Sequence, residues 1–236
     1  MPDKVDIGGN YFVTGGSAGI GAAVVKNLVK LGCQITSVSR RKAAIKSACV
    51  DSIQCDLSDL DQIGMSLKGP IRNRHFNGAI LCHGFGDFGC LEQFSDARIR
   101  RLVDTNLTSN ILLARMLIPP MKTAGGGTLV LIGSEAALKG GKQGAVYAAT
   151  KFALRGLAQS LRQECSGSGV RISLVNPGMV DTGFFDKLSF TPGESKDNVL
   201  SAEDVATAVI GILEAPPHAV IDEVNLSPLK TVVRHR

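Results

Sequence analysis

Residues 128–151 read TLVLIGSEAALKGGKQGAVYAATK, and the rest of the chain is organised around this stretch. Its first five residues are apolar and predict a buried strand, after which a loop begins at Ser134. The residues that follow are rich in Ala and Leu at helical spacing, so they predict a helix. Tyr147 and Lys151 are four residues apart on that helix and therefore share one of its faces.

This tyrosine and lysine form a chemically useful pair. A free phenol has a pKa of ~10 and is protonated at neutral pH. A lysine ammonium about 4 Å away favours the phenolate by roughly 4 kcal/mol at an effective dielectric of about 20. Such a contact would lower the pKa of Tyr147 by up to about three units, so that it exchanges protons with an alcohol or a carbonyl. The alternative is a surface tyrosine beside a solvated lysine.

Length and composition narrow the class of protein. The chain has 236 residues, which fits one domain over residues 1–236, and its 44% hydrophobic and 20% charged residues suit a soluble α/β protein. The net charge of +5 is scattered apart from residues 40–42 and 234–236, which argues against a nucleic-acid partner. We find no membrane-spanning segment and no signal peptide. The six cysteines include no Cys-x-x-Cys pair and the histidines are scattered, so we expect reduced thiols, no metal site and a cytoplasmic location.

Strand-like and helix-like segments alternate along the chain. This alternation predicts a parallel sheet with helices on both faces, in which ligands bind beyond the carboxyl ends of the strands. The expected strands are residues 11–14, 34–39, 52–54, 78–82, 128–132, 170–175 and 219–226. The expected helices are residues 22–31, 95–118 (ended by Pro119 and Pro120), 148–161, and one from an N-cap at Ser201 to Leu213.

A glycine-rich turn, TGGSAGIG at residues 14–21, follows the first strand and opens the first helix. Small residues there allow a pyrophosphate to approach the backbone, and the helix N-terminus offers unpaired N–H groups with partial positive charge. Many tight turns are rich in glycine. The position between a strand and a helix favours nucleotide binding.

The end of the second strand indicates which nucleotide is bound. Dinucleotide folds that bind NAD often carry an acidic residue there, whereas this chain has Ser39, Arg40 and Arg41. A carboxylate would repel a 2′-phosphate, but an arginine can bind it through two charge-assisted hydrogen bonds. We therefore expect NADP, with NADPH preferred over NADH. A solvated basic turn is the alternative.

With these motifs assembled in order, the sequence resembles the short-chain dehydrogenase/reductase superfamily over nearly its whole length. The resemblance implies a single-domain Rossmann fold, a doubly wound sheet of about seven strands in the order 3-2-1-4-5-6-7. It also implies an NADP-dependent oxidoreductase that transfers a hydride between the nicotinamide and a carbonyl or secondary alcohol, in the reductive direction as a carbonyl reductase. A homodimer or homotetramer is implied as well. The matching residues beyond the glycine turn are Asp56, Leu57, Asn106, Ser134, Tyr147, Lys151 and the segment NPGMVDT at 176–182.

The resemblance assigns roles to the catalytic residues. Tyr147 would donate the proton, and Ser134 would hydrogen-bond the substrate oxygen. Lys151 would lower the pKa of the tyrosine and hold the nicotinamide ribose, while Asn106 would position a water that relays protons to the lysine. The cofactor-binding residues implied are Thr14, Gly15, Ser17, Ala18, Gly19, Ile20, Gly21, Ser39, Arg40, Arg41, Asp56, Leu57, His83, Gly84, Asn106, Tyr147, Lys151, Pro177, Gly178, Val180 and Thr182.

The chain departs from the family pattern after the fourth strand. The family commonly has Asn-Asn-Ala-Gly there, and this chain has Cys82, His83 and Gly84 before Phe85. This leaves open which side chain stabilises the centre of the sheet. We expect His83 to be a structural residue satisfied by the backbone, with a catalytic role near the cofactor as the alternative.

Residues 183–200 contain three phenylalanines and no clear periodicity. We interpret them as a mobile lid over the active site, with a plain surface loop as the alternative. The residues expected to bind substrate are Ser134, Phe85, Met179, Phe184 and Phe185, with Phe88 and Phe190 as further apolar candidates. A hydrophobic ketone and a 3-oxoacyl thioester are both compatible with such a pocket, because the fold does not name a substrate.

Two other functions compete with the enzyme hypothesis. The first is a regulatory sensor that binds NADP without turnover, but such family members commonly lose the tyrosine or the lysine, and this chain keeps both. The second is nucleic-acid binding through the basic tail. For subunit contacts, we expect helices at residues 95–118 and 147–164, whose apolar residues would otherwise belong to the core.

Overall fold

A seven-stranded parallel sheet forms the centre of the protein. The computed structural model describes residues 7–235, so Arg236 of the basic tail and the N-terminal residues considered for a signal peptide lie outside it. The strands are β1 (Asn10–Thr14), β2 (Gln34–Ser39), β3 (Val50–Gln54), β4 (Gly78–Leu81), β5 (Gly127–Ile132), β6 (Val170–Pro177), β7 (Val180–Asp181), β8 (Phe190–Pro192), β9 (Leu200–Ser201), β10 (Glu223–Leu226) and β11 (Val233–His235).

The order of strands across this sheet is β10-β6-β5-β4-β1-β2-β3, and every neighbouring pair is parallel. The predicted order is confirmed. The seventh strand of the sheet carries the label β10 because three short strands, β7, β8 and β9, follow β6 in the chain and lie outside this sheet. From β1 to β3 successive strands are added toward one edge of the sheet, and from β4 onward toward the other edge. Doubly wound folds bind their ligands at this switch point, between β1 and β4.

Helices cover both faces of the sheet, as predicted. One face packs against side chains such as Ile63, Leu117 and Ala158, and the other against Val24 and Val209. Among the described residues, no helix combines the length and the apolar character needed to cross a bilayer. The helices are α1 (Gly19–Lys30), α2 (Leu60–Arg72), α3 (Asp96–Val103), α4 (Ser109–Thr123), α5 (Ala145–Glu164) and α6 (Ala202–Leu213).

Helix α2 is absent from the sequence prediction. Its interior contains Gly64, Gly69 and Pro70, which lower helix propensity. The helix forms because Asp59 caps its first turn, accepting hydrogen bonds from two backbone N–H groups at 3.2 Å. Its apolar residues recur at intervals of four and are buried against the sheet. Tertiary packing therefore overrides the weak local preference.

The predicted long helix at residues 95–118 is wrong in two respects. It is divided into α3 and α4 by a π-helical turn, Asp104–Thr108, and it continues past Pro119 and Pro120 to Thr123. Each proline removes one N–H donor from the helix, but its ring holds φ near the helical value, and both residues lie within α4. Just past its end lies Gly125, whose φ of 85° is in the left-handed region that favours glycine after a helix.

The last strand of the sheet is shorter than predicted. Residues 216–219 form a turn in which the Ala219 N–H donates to the Pro216 carbonyl at 2.9 Å. Pairing with β6 begins only at Glu223. This turn keeps the first residue of the predicted strand away from the sheet.

The segment at 183–200 has more order than its sequence indicates. The strand just before it, β7, pairs with β9 at its end. In its middle, β8 pairs antiparallel with β11 from the C-terminal part of the chain. Lys230 strengthens the second contact through an ion pair with Asp197 at 2.9 Å, and Arg234 forms another with Glu194. The lid interpretation stays a prediction.

The cap of α6 gives a test of the fold. Ser201 accepts a hydrogen bond from the Asp204 N–H at 3.1 Å, and the Asp204 carboxylate accepts one from the Ser201 N–H at 2.7 Å. Because Ser201→Ala leaves an N–H of the first turn unpaired, we expect it to lower the free energy of unfolding by about 1 kcal/mol in urea titrations. Ser160→Ala, at an exposed position within α5, is the matched control. Equal stability of the two variants would contradict this reading of the cap.

Candidate active site

A large cavity opens at the carboxyl edge of the sheet. Its volume is about 850 Å³, and the ends of β4, β5 and β6 form its floor. The predicted substrate residues all line it: Phe85, Ser134, Met179, Phe184 and Phe185, together with Phe88 and Phe190. Of the predicted cofactor residues it contains Ile20, His83, Gly84, Tyr147, Lys151, Pro177, Gly178, Val180 and Thr182.

Ser134, Tyr147 and Lys151 meet on one wall of this cavity. Ser134 lies two residues past the end of β5, and its hydroxyl accepts a hydrogen bond from the Ala136 N–H at 3.2 Å, at the start of the short 3-10 helix Glu135–Ala137. Tyr147 and Lys151 lie on one face of α5 and are only 7% and 5% exposed. The Ser134 hydroxyl hydrogen-bonds the phenol oxygen of Tyr147. The residues expected to act together are therefore adjacent.

The structure reverses the expected shift in the pKa of Tyr147. Burial raises this pKa to about 12, the hydrogen bond from Ser134 opposes the rise, and the charge of Glu135 adds to it. Lys151 has less influence than expected, because its Nζ lies 5.8 Å from the centre of the tyrosine ring and donates to the Ile132 carbonyl at 3.1 Å. The phenol is consequently protonated at neutral pH.

Lys151 itself is strongly perturbed. Burial lowers the pKa of its amine to about 8. The charged form is thus disfavoured by its surroundings, and a nearby hydroxyl or anion would stabilise it.

Asn106 lies in the π-helical turn and holds the loop after β4 in place. Its Oδ1 accepts a hydrogen bond from the Phe85 N–H at 3.0 Å, and its Nδ2 donates to the Phe85 carbonyl at 2.9 Å. The backbone carbonyl of Asn106 accepts a bond from Asn110 at 2.9 Å. Both ends of the Asn106 side chain are thus already hydrogen-bonded to the protein. A water that relays protons to Lys151 would therefore have to bind the backbone carbonyl of Asn106, through its second lone pair.

His83 takes the place at which the family pattern differs from this sequence. Its Nδ1 lies 2.8 Å from the Thr14 hydroxyl, and its Nε2 lies 2.7 Å from the Ser109 hydroxyl. The prediction that the backbone satisfies this ring is wrong, because two side-chain hydroxyls do so. His83 therefore ties β1 to the start of α4 through the end of β4.

The hydrogen-bond network fixes the tautomer of His83. The Thr14 oxygen already accepts bonds from the N–H groups of Cys82 and His83, so its own hydrogen points to Nδ1. Ser109 donates its hydrogen to the Thr105 carbonyl at 2.6 Å, so its oxygen accepts from Nε2–H. The Asn110 Nδ2 lies 3.3 Å from the same Nε2, but its shorter bond, at 2.9 Å, is the one that it donates to the Asn106 carbonyl. Desolvation by burial lowers the pKa of His83 to about 3, and the charge of Lys151 adds to this effect. The ring is neutral at all ordinary pH values.

The glycine-rich turn has the shape that a dinucleotide pyrophosphate needs. Gly15 has a φ of 72°, and a Cβ on Gly21 would lie 2.4 Å from the Gly15 carbonyl oxygen. Ala18 precedes α1 without a side-chain cap, so the first N–H groups of the helix are open to an anion. The residues present fit a bound nicotinamide dinucleotide.

The expected 2′-phosphate site lies at the end of β2. Arg40 and Arg41 are exposed there, and Ser39 donates a hydrogen bond to the Arg41 carbonyl at 2.6 Å. Desolvation alone would raise the pKa of Asp56. Hydrogen bonds from the N–H and hydroxyl of Ser58, and then the charges of Arg40 and Arg101, hold it below its usual range. The edge where an adenosine would bind is thus rich in guanidinium groups.

Aromatic rings enclose the phenol of Tyr147. The Phe88 ring centre lies 5.1 Å from that of Tyr147 and 4.9 Å from that of Phe190, and the Phe184 ring lies 6.0 Å from Tyr147. Two of these phenylalanines come from residues 183–200. The predicted lid segment therefore forms one wall of the cavity.

Comparison with known proteins places this site in a family. A family model described as "short chain dehydrogenase" matches residues 10–192. The chain belongs to the short-chain dehydrogenase family. It is 29% identical to the dehydrogenase/reductase SDR family member 11 of Gallus gallus, in an alignment that covers 93% of this chain and 96% of the relative.

Solved structures confirm the fold of this short-chain dehydrogenase. Aldohexose dehydrogenase of Thermoplasma acidophilum superposes with a TM-score of 0.83 at 21% identity, covering 96% of each chain. The closed form of serine dehydrogenase complexed with NADP⁺ gives 0.82 at 20% identity, covering 93% of this chain and 95% of the other. The protein is thus an NAD(P)-dependent dehydrogenase/reductase that acts on CH–OH and C=O groups.

Sequence reasoning missed several residues of the site. Ser227, Thr231, Val233 and His235 line the cavity from the C-terminal part of the chain, far from any recognised motif. Glu135 also lines the cavity, and its position next to Ser134 in the sequence could have indicated this. Within the described part of the chain, no group of His, Cys, Asp and Glu side chains could hold a metal ion.

The buried histidine predicts how stability depends on pH. Between the folded pKa of about 3 and the ordinary value of 6.5, the unfolded chain binds a proton at His83 that the folded chain does not. Acidification should therefore lower the free energy of unfolding by about 1 kcal/mol per pH unit below pH ~6 from this residue alone. His83→Asn should remove this part of the slope in urea titrations between about pH 5 and pH 8.

His75→Asn, at an exposed position, is the matched control and should keep the wild-type slope. Parallel pH profiles for the wild type and His83→Asn would show that the ring is not held neutral by the fold.

Proposed function

We propose that this chain is an NADPH-preferring reductase of carbonyl compounds that carry an apolar group. The observation that carries the proposal is the convergence of the Ser134 hydroxyl and the protonated phenol of Tyr147 on one wall of an aromatic-lined cavity. A nicotinamide bound at the glycine-rich turn supplies the hydride. The residues of the chain then have to orient the carbonyl and deliver a proton.

The proton comes from Tyr147 in this proposal. A carbonyl oxygen gains negative charge during reduction and becomes more basic, so a neutral phenol within reach can protonate it. Because burial keeps the phenol protonated at neutral pH, the site suits the reductive direction. Ser134 hydrogen-bonds the same oxygen and stabilises the developing charge.

Lys151 and Asn106 support this transfer. The buried amine of Lys151 stabilises the phenolate that Tyr147 leaves behind, and it would also bond the hydroxyls of a cofactor ribose. Asn106 positions the loop after β4 against the cofactor through its two bonds to Phe85. We propose that the backbone carbonyl of Asn106 holds the water that returns a proton to Lys151.

The preference for NADPH rests on the residues that follow β2. Among residues 7–235, neither Arg40 nor Arg41 forms a salt bridge, and both guanidinium groups face solvent. A 2′-phosphate offers them a charged partner, whereas the ribose hydroxyl of NADH does not.

A sensor that binds NADP without turnover would need none of the proton-transfer residues. Because Ser134, Tyr147 and Lys151 meet in this cavity, the geometry favours the enzyme over the sensor.

We also propose that the protein forms a homodimer or homotetramer through α4 and α5. Ile111 on α4 and Phe152 on α5 are 41% and 45% exposed, so both leave apolar surface in contact with water. Their burial between subunits would remove this surface from water.

Tyr147→Phe tests the mechanism. Because the phenol is the proposed proton donor, its removal should lower kcat for NADPH-dependent reduction of a ketone panel by at least ~100-fold. The Kd for NADPH, measured by fluorescence titration, should stay within about twofold of wild type. Tyr11→Phe alters the other tyrosine of the chain, whose hydroxyl donates to the Ile7 carbonyl in the core, and should keep full turnover. An active Tyr147→Phe enzyme would end the proposal.

Arg40→Ala tests the cofactor preference separately. Losing a charge-assisted bond to the 2′-phosphate should raise the KM for NADPH by about tenfold or more. The KM for NADH should change by less than about twofold. Lys46→Ala removes an exposed cation farther along the same loop and serves as the control. Equal losses with both cofactors would refute the role of Arg40.

A further inference from the structure

Glu135 places a carboxylate inside the active-site cavity. It follows Ser134 directly, is half-buried, and lines the cavity wall. Its Oε2 lies 3.1 Å from the position that a Cβ on Gly178 would occupy, so the side chain extends toward the turn after β6. The carboxylate is also close enough to the Tyr147 phenol for its charge to raise the pKa of that phenol.

This carboxylate has no partner from the protein. Among residues 7–235 no hydrogen bond or ion pair reaches its oxygens, and desolvation is the cause that raises the pKa of its carboxyl group. Glu135 is also the one acidic side chain among the described residues that line the cavity. Besides aromatic and small residues, the lysines Lys139, Lys142 and Lys151 also line this cavity, and none of them forms an ion pair with Glu135. A half-buried carboxylate without a protein partner is stabilised when an occupant of the cavity donates a hydrogen bond to it.

We propose that Glu135 is a specificity-determining residue, which selects carbonyl substrates that carry a hydroxyl or ammonium group on the carbon next to the carbonyl. This inference rests on the proposed reductase function. Ser134 and Glu135 are neighbours in the chain, so their Cα atoms are about 3.8 Å apart. Both side chains line the same cavity, so a donor on the carbon next to the carbonyl is the shortest link that a substrate bonded to Ser134 can offer to Glu135.

The test uses three aromatic ketones that differ at one atom. Propiophenone, α-hydroxyacetophenone and α-aminoacetophenone carry a methyl, a hydroxyl and an ammonium group on the same carbon. We expect the wild-type enzyme with NADPH to show at least about tenfold higher kcat/KM for the two donor ketones than for propiophenone. Glu135→Leu should abolish this ratio. Glu135→Gln, which keeps an acceptor without charge, should retain the advantage of the hydroxyl ketone and lose that of the ammonium ketone.

The ratio separates specificity from catalysis. Removing the charge of Glu135 also changes the pKa of Tyr147, but this affects all three ketones alike and cancels in the ratio. Glu164→Gln, at an exposed position at the end of α5, is the matched control and should keep the wild-type ratios. Unchanged ratios in both Glu135 variants would overturn the inference, as would an effect of Glu135→Gln confined to the KM for NADPH.

A binding measurement keeps the inference falsifiable if none of these ketones is reduced. Calorimetry with NADPH present compares 2-amino-1-phenylethanol with its methyl isostere 1-phenylpropan-1-ol. Tighter binding of the amine by about tenfold or more, lost in Glu135→Leu, supports the role of Glu135. Equal binding overturns it. Failure of the reductase function itself is distinct, because then no ketone of a broad panel consumes NADPH, whatever residue stands at position 135.

Discussion

A buried ammonium group is the constraint on which the rest of the active site depends. Lys151 is 5% exposed, and its Nζ donates to the carbonyl that ends β5. Isolated ammonium groups are costly in such surroundings, so the backbone of several elements is arranged around this one. Gly84, with a φ of 155°, lets the loop after β4 approach to where a Cβ would lie 3.8 Å from Nζ. Asn106 then fixes that loop through its two bonds to Phe85.

The same burial explains why the phenol and the amine shift in opposite directions. Desolvation disfavours each charged form, so it raises the pKa of Tyr147 and lowers that of Lys151. Tyr147 therefore keeps its proton at neutral pH. Transfer of that proton becomes favourable when negative charge develops on a nearby oxygen. The aromatic rings around Tyr147 keep water from stabilising that charge in place of the protein.

Much of the fold was predictable from the sequence because alternating apolar segments report a parallel sheet directly. Local patterns failed where packing decides the outcome. Helix α2 forms despite two glycines and a proline, and α4 continues through Pro119 and Pro120. The pairing of β8 with β11 joins segments about forty residues apart in the chain, and strands of three residues carry no periodic signal of their own.

The site was predictable in membership but less so in its electrostatics. Motif order indicated Ser134, Tyr147 and Lys151, and the structure brings them together. The predicted direction of the shift in the pKa of Tyr147 was wrong. The prediction considered only the charge of Lys151 beside the phenol, whereas burial of the phenol has the largest effect. The partners of His83 could not be inferred, since Thr14 and Ser109 are distant in sequence and meet only through the fold.

The π-helical turn at Asp104–Thr108 has a consequence for insertions and deletions in this region. Such a turn holds one residue more than an α-helical path would, and each residue of a helix turns it by about 100°. Deleting a single residue there can return the turn to an α-helical path, whereas inserting a further residue would rotate Leu102 of α3 out of register with Leu113 of α4, and both are fully buried. Insertions are therefore strongly restricted at this point of the helix, whereas the exposed loop at 139–143 can absorb them.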